Sequence, residues 1–414
     1  MSVLRLNDRP SRDCHSKHLL AYTMTVSAVV AASFCGTAFV FHIVSIIIAA
    51  RRCRPRPAAQ LKPAPFPPRL AGEEREGATV PPVSIVRPVC GLDNFLEETL
   101  RTSFELDYPR YELIFCVAST RDPAIPLVQQ LIAAHPQSHA RLLIGDDRVS
   151  QNPKLNNCVK GWRAAKHDWI VMADSNVLMP RDYIRRLLAA WQPDTGLVCS
   201  PPVGCRPVGF WSGLECAFLN TYQVRAQYVA DALGLGFAQG KTMLWRRADL
   251  ESAGGIGALG AELAEDAAST KIVRAAGLRV RLTAPPFEQP LGRRAMMEVW
   301  RRQTRWARLR RSSFPRYFVP EIVGGALFPL IAAGYAACAA DVSVFATVVP
   351  LALVWYGAEI ALAKAAQWPL PPLYALQALL RDLLLPILWF DAWIGTDFVW
   401  RGHQMSIAAD APAP

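Results

Sequence analysis

The chain has 414 residues, 52% of them hydrophobic, and a formal net charge of +11. That length allows one catalytic domain of ordinary size plus membrane segments, and the apolar residues gather in long runs towards both ends. The positive charge suits an anionic membrane surface and an anionic substrate. No nucleic-acid-binding motif accompanies it, so no nucleic acid partner is expected.

The first apolar run extends from Tyr22 to Ala50. It is long enough to cross about 30 Å of hydrocarbon as a helix. Arg51, Arg52, Arg54 and Arg56 follow it at once, and the positive-inside rule puts that flank in the cytoplasm. Arg5, Arg9, Arg12 and Lys17 precede the run and blur this signal. A cleaved signal peptide does not fit, because the run is long for one and no small-residue cleavage site follows. Residues 1–51 thus form a tail and a transmembrane helix. Residues 52–81, rich in Pro, Ala and charge, form an extended linker with no core of its own.

Residues 82–292 have the texture of a soluble α/β domain. VSIVRPV, YELIFCVAS, ARLLIG and DWIVMADS are predicted strands, and NFLEETLRTSF, PAIPLVQQLIAAH and KLNNCVKGWRAAK are predicted helices between them. This alternation implies a Rossmann-like, mostly parallel sheet covered on both faces. Ligands of such sheets lie at the carboxyl ends of the strands, where Asp122 and Asp174 fall. Residues 293–317 form an Arg-rich helix with Trp300 and Trp306, and residues 318–400 carry further membrane segments at about 319–340, 342–363 and 373–399. The last of these contains Pro386 and the charges of Arg381, Asp382, Asp391 and Asp397. Such charges usually face protein or water, so a re-entrant or interfacial segment is the alternative to a span. Residues 401–414 form a tail.

The ten cysteines show no CxxC pair and no zinc-type spacing with histidine. They are expected to be reduced, mostly buried thiols.

Four groups of residues carry candidate chemistry. Asp174, in VMADSNV, ends a buried strand. A carboxylate there suits a divalent cation, Mg2+ or Mn2+, bridging a diphosphate, with Asn176 as a second, uncharged oxygen. A helix cap is the plainer reading of the same residue. Asp122, before Pro123, is either a turn residue at a helix start or a hydrogen-bond acceptor for a nucleoside. Glu262, Glu265 and Asp266 cluster at the next helix start. They answer the helix dipole there, or one of them takes a proton from an attacking hydroxyl. In RRQTRW, Arg302 and Trp306 are four apart and share a helix face, with Arg305 beside them. Arginine there can meet phosphate charge, and tryptophan can stack on a sugar or acceptor. An amphipathic helix at the membrane interface explains the same stretch.

The order Asp122, Asp174, Asp266, then Arg302, Arg305 and Trp306 resembles the D, D, D, (Q/R)xxRW pattern of the ceramide glucosyltransferase family. FELDYPRYEL, CVASTRDPAI, ARLLIGDDRVSQNPKLNN, AAKHDWIVMADS and AEDA are similar to its signatures. The resemblance covers about residues 20–400. It implies a GT-A-type domain, a UDP-sugar donor and inversion at the anomeric carbon. By position, Asp122 and Asp174 look like the donor-binding and metal aspartates, Asp266 like the base, and Arg302, Arg305 and Trp306 like the product-forming motif. Lys154 and Asn157 resemble the segment following the donor-binding strands and are expected to bind the donor. One departure is Ser119, Thr120 and Arg121 where animal members carry an acidic run.

The expected activity is transfer of glucose from UDP-glucose to ceramide, in a bacterial inner membrane with the catalytic domain facing the cytoplasm. Diacylglycerol or a hopanoid as acceptor, and UDP-galactose or UDP-N-acetylglucosamine as donor, are the alternatives within the family. More distant rivals are a processive polysaccharide synthase, for which three C-terminal stretches are few, and a transporter, against which the lack of repeated span pairs speaks.

Overall fold

Segments such as VSIVRPV and YELIFCV offer no polar face to water, so their strands must be covered on both sides. The computed structural model of the chain, which describes residues 12–55, 80–400 and 403–407, shows that arrangement. Most of the 52–81 linker, residues 1–11 and most of the 401–414 tail lie outside the described residues. Helix α1 covers Arg12–Cys53. Then follow β1 (Val83–Val89), α2 (Leu96–Arg101), β2 (Tyr111–Val117), α3 (Ile125–Ala134), β3 (Ala140–Ile144), α4 (Pro153–Ala164) and β4 (Trp169–Ala173). These four strands match the four predicted from sequence. The domain continues through α5 (Tyr183–Ala189), β5 (Thr195–Cys199), β6 (Val203–Val208), α6 (Phe210–Cys216), a π-helical stretch at Ala217–Val224 and α7 (Arg225–Ala232). It closes with β7 (Thr242–Arg246), α8 (Arg247–Ser252), α9 (Glu265–Ala275), β8 (Arg279–Leu282) and β9 (Glu288–Arg293). The remaining elements are α10 (Met296–Ser313), α11 (Pro315–Phe318), α12 (Leu327–Ala339), α13 (Val344–Ala365), α14 (Tyr374–Ile394), β10 (Asp397–Trp400) and β11 (His403–Ser406).

The main sheet has seven strands in the order β3-β2-β1-β4-β7-β5-β8. Only β7 runs against the others, antiparallel to both β4 and β5. This is the mostly parallel sheet that the alternation of strand and helix segments predicts. Leu100, Phe115, Val128, Val171 and Leu187 pack together on one side of it. The reversal at β7 positions the site. Ala173, the last residue of β4, pairs with Thr242, the first of β7. The residues just beyond, Asp174 and Lys241, therefore face each other, and the Asp174 amide donates to the Lys241 carbonyl at 3.0 Å. Beneath them Arg87 of β1 is fully buried and donates to the carbonyls of Asp174 (2.9 Å) and Val177 (3.1 Å). Burial pulls its guanidinium down to about 10, still charged at neutral pH, so it braces the turn that carries Asp174.

The described residues fall into two compact units, one of residues 12–44 with Val323–Ala358, the other of Ser45–Ile322 with residues 359–407. In the first, His42 stacks on Trp355 at 3.9 Å between centroids and its Nε2 donates to the Trp355 carbonyl at 3.1 Å. Two helices are long and apolar enough to cross a bilayer, Thr25–Cys53 and Val344–Ala365. The predicted 319–340 stretch is instead a pair, Pro315–Val323 and Leu327–Ala339, bent by 47°. Gly325 at φ +83°, a backbone that favours glycine, lies in that break. This pair makes a third span only if counted as one.

The predicted 373–399 stretch is not among the helices that qualify as spans. It folds as α14 and ends at Ile394, with Asp397 already in β10. In the second unit, α14 buries its charges on the domain. Arg381 meets Glu359 with two bonds of 2.9 Å and Asp382 at 2.8 Å, and donates to Thr221 at 3.0 Å and to the Ala217 carbonyl at 3.2 Å. Arg225 lies 3.7 Å from Glu359, and Tyr374 bonds Thr221 at 2.6 Å. The charges noted in the sequence are thus answered by protein. Removing one member of a buried ion cluster strands the others and costs about 3–5 kcal/mol. Arg381→Met should lose about that much stability in denaturant titration of the purified full chain. A loss below about 1 kcal/mol, the range of an exposed pair, would contradict this account.

Candidate active site

Asp174 closes β4, and its carboxylate is held by two ammonium groups. Lys154 approaches one oxygen at 2.6 Å and Lys241 the other at 2.8 Å. Burial alone would raise its pKa, but these two charges outweigh it and hold the carboxyl well below the ordinary range. Asn176 adds its amide oxygen 3.0 Å from the Lys241 ammonium. The plainer reading of Asp174 as a helix cap does not describe these contacts.

Lys154 stands in the first turn of α4. Asn152 caps that helix by accepting from the amides of Lys154 (2.9 Å) and Leu155 (3.1 Å), with Pro153 at the first helical position. The Lys154 ammonium bridges Asp174 to Glu265, each at 2.6 Å, and also donates to the Gly240 carbonyl. Burial disfavours its charge, yet the two carboxylates more than offset that and raise its pKa. Glu265 is saturated, because Asn152 donates to its other oxygen at 2.6 Å. Glu262 is engaged at the surface by Lys271.

Asp266 differs from both. Its carboxylate accepts from the Gly240 amide at 3.0 Å, and no ion pair reaches it among the described residues. Burial, then the adjacent Glu265 charge, push it up to about 6, against Lys154 and the amides of Gly240 and Ala267. Gly240 makes this approach possible. A Cβ there would meet Glu265 Oε1 at 2.7 Å and the Lys154 ammonium at 3.0 Å.

Arg302, on α10, pairs with Glu215 at 2.7 Å. Burial and the Arg302 charge pull the Lys241 ammonium below its ordinary value, against the pull of Asp174. Arg302 therefore belongs to the electrostatic surroundings of this cluster. The rest of the RxxRW motif turns elsewhere. Trp306 packs with Cys216, Leu219 and Leu291, and Arg305 lies over the Trp400 ring at 5.4 Å. Arg302 and Trp306 do share a face, both meeting the end of α6. Other arginines of α10 are spent on protein: Arg308 on Asp391 at 3.0 Å and Arg310 on Glu321 at 2.8 Å.

Asp122 accepts from the Gly91 amide at 3.0 Å and from the Ala124 amide at 2.9 Å, so it joins the loops after β1 and β2. The capping position of α3 is Ala124, not Asp122. Asn157 is buried. Its amide donates to the carbonyls of Cys116 (2.8 Å) and Val89 (3.3 Å), and its oxygen accepts from Lys160 at 2.6 Å. Its side chain thus forms a bracket across the ends of β1 and β2. The structure thus brings Asp174, Lys154 and Asp266 together, with Arg302 near. Sequence reading missed Lys241, Gly240, Asn152 and Glu215. A glycine–lysine pair opening a strand, in FAQGKTMLW, is the one local signal that could have flagged two of them.

For a divalent cation, the protein supplies two hard oxygens, from Asp174 and Asn176, which already bracket a positive charge on Lys241. No group of three or more His, Cys, Asp or Glu able to hold a metal exists among the described residues. One carboxylate with a neutral oxygen fits Mg2+ or Mn2+ when phosphate and water complete the shell. Of the cysteines described, none is in a disulfide, and all but Cys90 and Cys338 are buried.

A model of glycosyl transferase family 21 matches residues 37–413. The chain is 26% identical over 350 residues to ceramide glucosyltransferase 1 of Caenorhabditis elegans, across 82% of this chain and 74% of that protein. It is 40% identical over 120 residues to a ceramide glucosyltransferase of Komagataella phaffii, across 28% of this chain and 22% of that one. Among solved structures, a mannosyltransferase of Pyrobaculum calidifontis in complex with GDP-Man and Mn2+ is similar at 19% identity and a TM-score of 0.47, covering 90% of this chain and 98% of that one.

The cluster makes a direct electrostatic prediction. Lys154 is the cation that restrains Asp266, so Lys154→Met should raise the Asp266 pKa above about 6. Infrared spectroscopy at neutral pH should then show a protonated carboxyl band that a further Asp266→Asn change removes. Lys154→Arg should not show it. A spectrum identical to wild type would contradict the arrangement.

Proposed function

The chain belongs to glycosyl transferase family 21, and from that premise we propose that it transfers glucose from UDP-glucose to the hydroxyl of ceramide, with inversion at the anomeric carbon. Family and relatives make it a sugar-transferring enzyme acting on lipid. The choice of sugar and lipid follows the relatives named ceramide glucosyltransferase. The observation that carries the mechanism is Asp266, the acid of the cluster that no ion pair reaches among the described residues.

In this reading, the donor diphosphate lies by Asp174, Lys154 and Arg302 at the carboxyl end of β4, and Asp122 faces the nucleoside. Mg2+ or Mn2+, when bound to Asp174 and Asn176, would neutralise charge on the diphosphate. Asp266 accepts the proton of the acceptor hydroxyl as that oxygen attacks the anomeric carbon. The bond to the diphosphate oxygen breaks on the opposite face, and UDP leaves with the electron pair. Arg302, oriented by Glu215, meets the growing negative charge. Arg305 and Trp306 act by holding α10 in place. Glu265 is the partner of Lys154 and Asn152 rather than the base. The apolar helices at both ends support a membrane location. The arginines after the first of them, Arg51 and Arg52, support a catalytic unit facing the cytoplasm of a bacterial inner membrane.

A base must be ionised to accept a proton, so activity is present above the Asp266 pKa and lost below it. Turnover should fall as pH drops through about 6, by about tenfold for each further unit. Asp266→Asn should keep near-normal UDP-glucose affinity and lose turnover on the order of a hundred- to ten-thousand-fold. Glu262→Gln should stay active. Full turnover by Asp266→Asn would remove the base from this account, and a flat profile from about pH 7 to about pH 5 would do the same.

A further inference from the structure

Two lysines reach Asp174, and they are not equivalent. Lys154 is locked, since it holds Asp174, Glu265 and the Gly240 carbonyl together. Among the described residues, Lys241 holds only Asp174 Oδ2 at 2.8 Å and Asn176 Oδ1 at 3.0 Å. Those are the same two oxygens that fit a divalent cation. Its backbone is fixed by the β4–β7 register, which sets its carbonyl 3.0 Å from the Asp174 amide. Its four-carbon stem and point charge leave the ammonium free to change partners, and the side chain keeps some exposure.

We propose that Lys241 is a resident cation of the diphosphate site: its ammonium occupies the gap between Asp174 and Asn176 in the free protein and pairs with the nucleotide diphosphate when the donor binds. This rests on the nucleotide-sugar reading above and adds a donor-binding residue to it. Two consequences follow from charge alone. Lys241 and a divalent cation repel each other at this spacing, so they compete for the two oxygens. An ammonium at the diphosphate also gives the site affinity for UDP without any metal, through a charge-assisted hydrogen bond.

The test uses the purified full chain in lipid nanodiscs and two probes, Mn2+ alone and UDP alone. Lys241→Met keeps the length and removes the charge. It should bind Mn2+ about tenfold more tightly in the absence of nucleotide, read from the spin-resonance signal of free Mn2+. It should bind UDP in chelator about tenfold more weakly by calorimetry, the scale of one charge-assisted hydrogen bond. Lys241→Arg should keep the metal-free UDP affinity. Unchanged or weaker Mn2+ binding by Lys241→Met, or unchanged UDP binding in chelator, would overturn the proposal. Should Lys241→Met not fold, the wild-type chain answers instead. UDP in chelator should protect Lys241 from amine acylation, mapped by mass spectrometry, and no protection would overturn the proposal. Wild-type protein that binds no UDP at all would overturn the glycosyltransferase reading and this inference together. Equal UDP binding by wild type and Lys241→Met would overturn the inference alone.

Discussion

One ammonium group holds the site together. Lys154 reaches Asp174 at the end of β4 and Glu265 at the start of α9, at 2.6 Å each. It thereby joins the strand that ends on Asp174 to the helix that carries Asp266. Two buried carboxylates without that cation would repel each other and shed water at high cost. With it, Asp174 stays ionised and Glu265 is spent, while the neighbouring Asp266 is left with only backbone amides for partners. Asn152 sets this up, by capping α4 with its oxygen and gripping Glu265 with its nitrogen.

A second buried cation does comparable work away from the chemistry. Arg381 of α14 gathers Glu359, Asp382 and Thr221, and so fixes α14 to the π-helical stretch that follows α6. The end of α6 carries Glu215, which orients Arg302. A helix that looks like membrane sequence by composition thus supports the residues beside the Asp174–Lys154 cluster. Its charges sit in a dry interior, where they are stable only as a complete set.

The sheet was legible because β1, β2 and β4 are buried on both faces and so stand out as short, mostly apolar segments. Asp174 and Asp266 were legible as acids at a strand end and a helix start. Their different partners were not, because these depend on which oxygen each lysine reaches across the fold. Lys241 lies 67 positions from Asp174 in the chain, and only the reversal of β7 brings them face to face. Glu215 was hidden in an apolar helix, where its charge is explained by Arg302 on another element. Asn157 was read as a ligand because its segment resembles a binding segment, whereas its geometry is that of a bracket between strands. The charges of the 373–399 stretch were legible in the sequence, but their partners were not, because hydropathy does not register what a buried arginine is paired with.

The claim that the whole account depends on is a single displacement by a lipid hydroxyl, with Asp266 taking the proton. The anomeric configuration of the product reports that step directly. Purified protein given UDP-glucose, whose glucose is α-linked, and ceramide should release UDP and yield one glucosylated lipid, with a β linkage by NMR of the extracted product. An α-linked product would show that no single displacement occurs, and UDP release with free glucose and no glycolipid would show that the attacking hydroxyl is water.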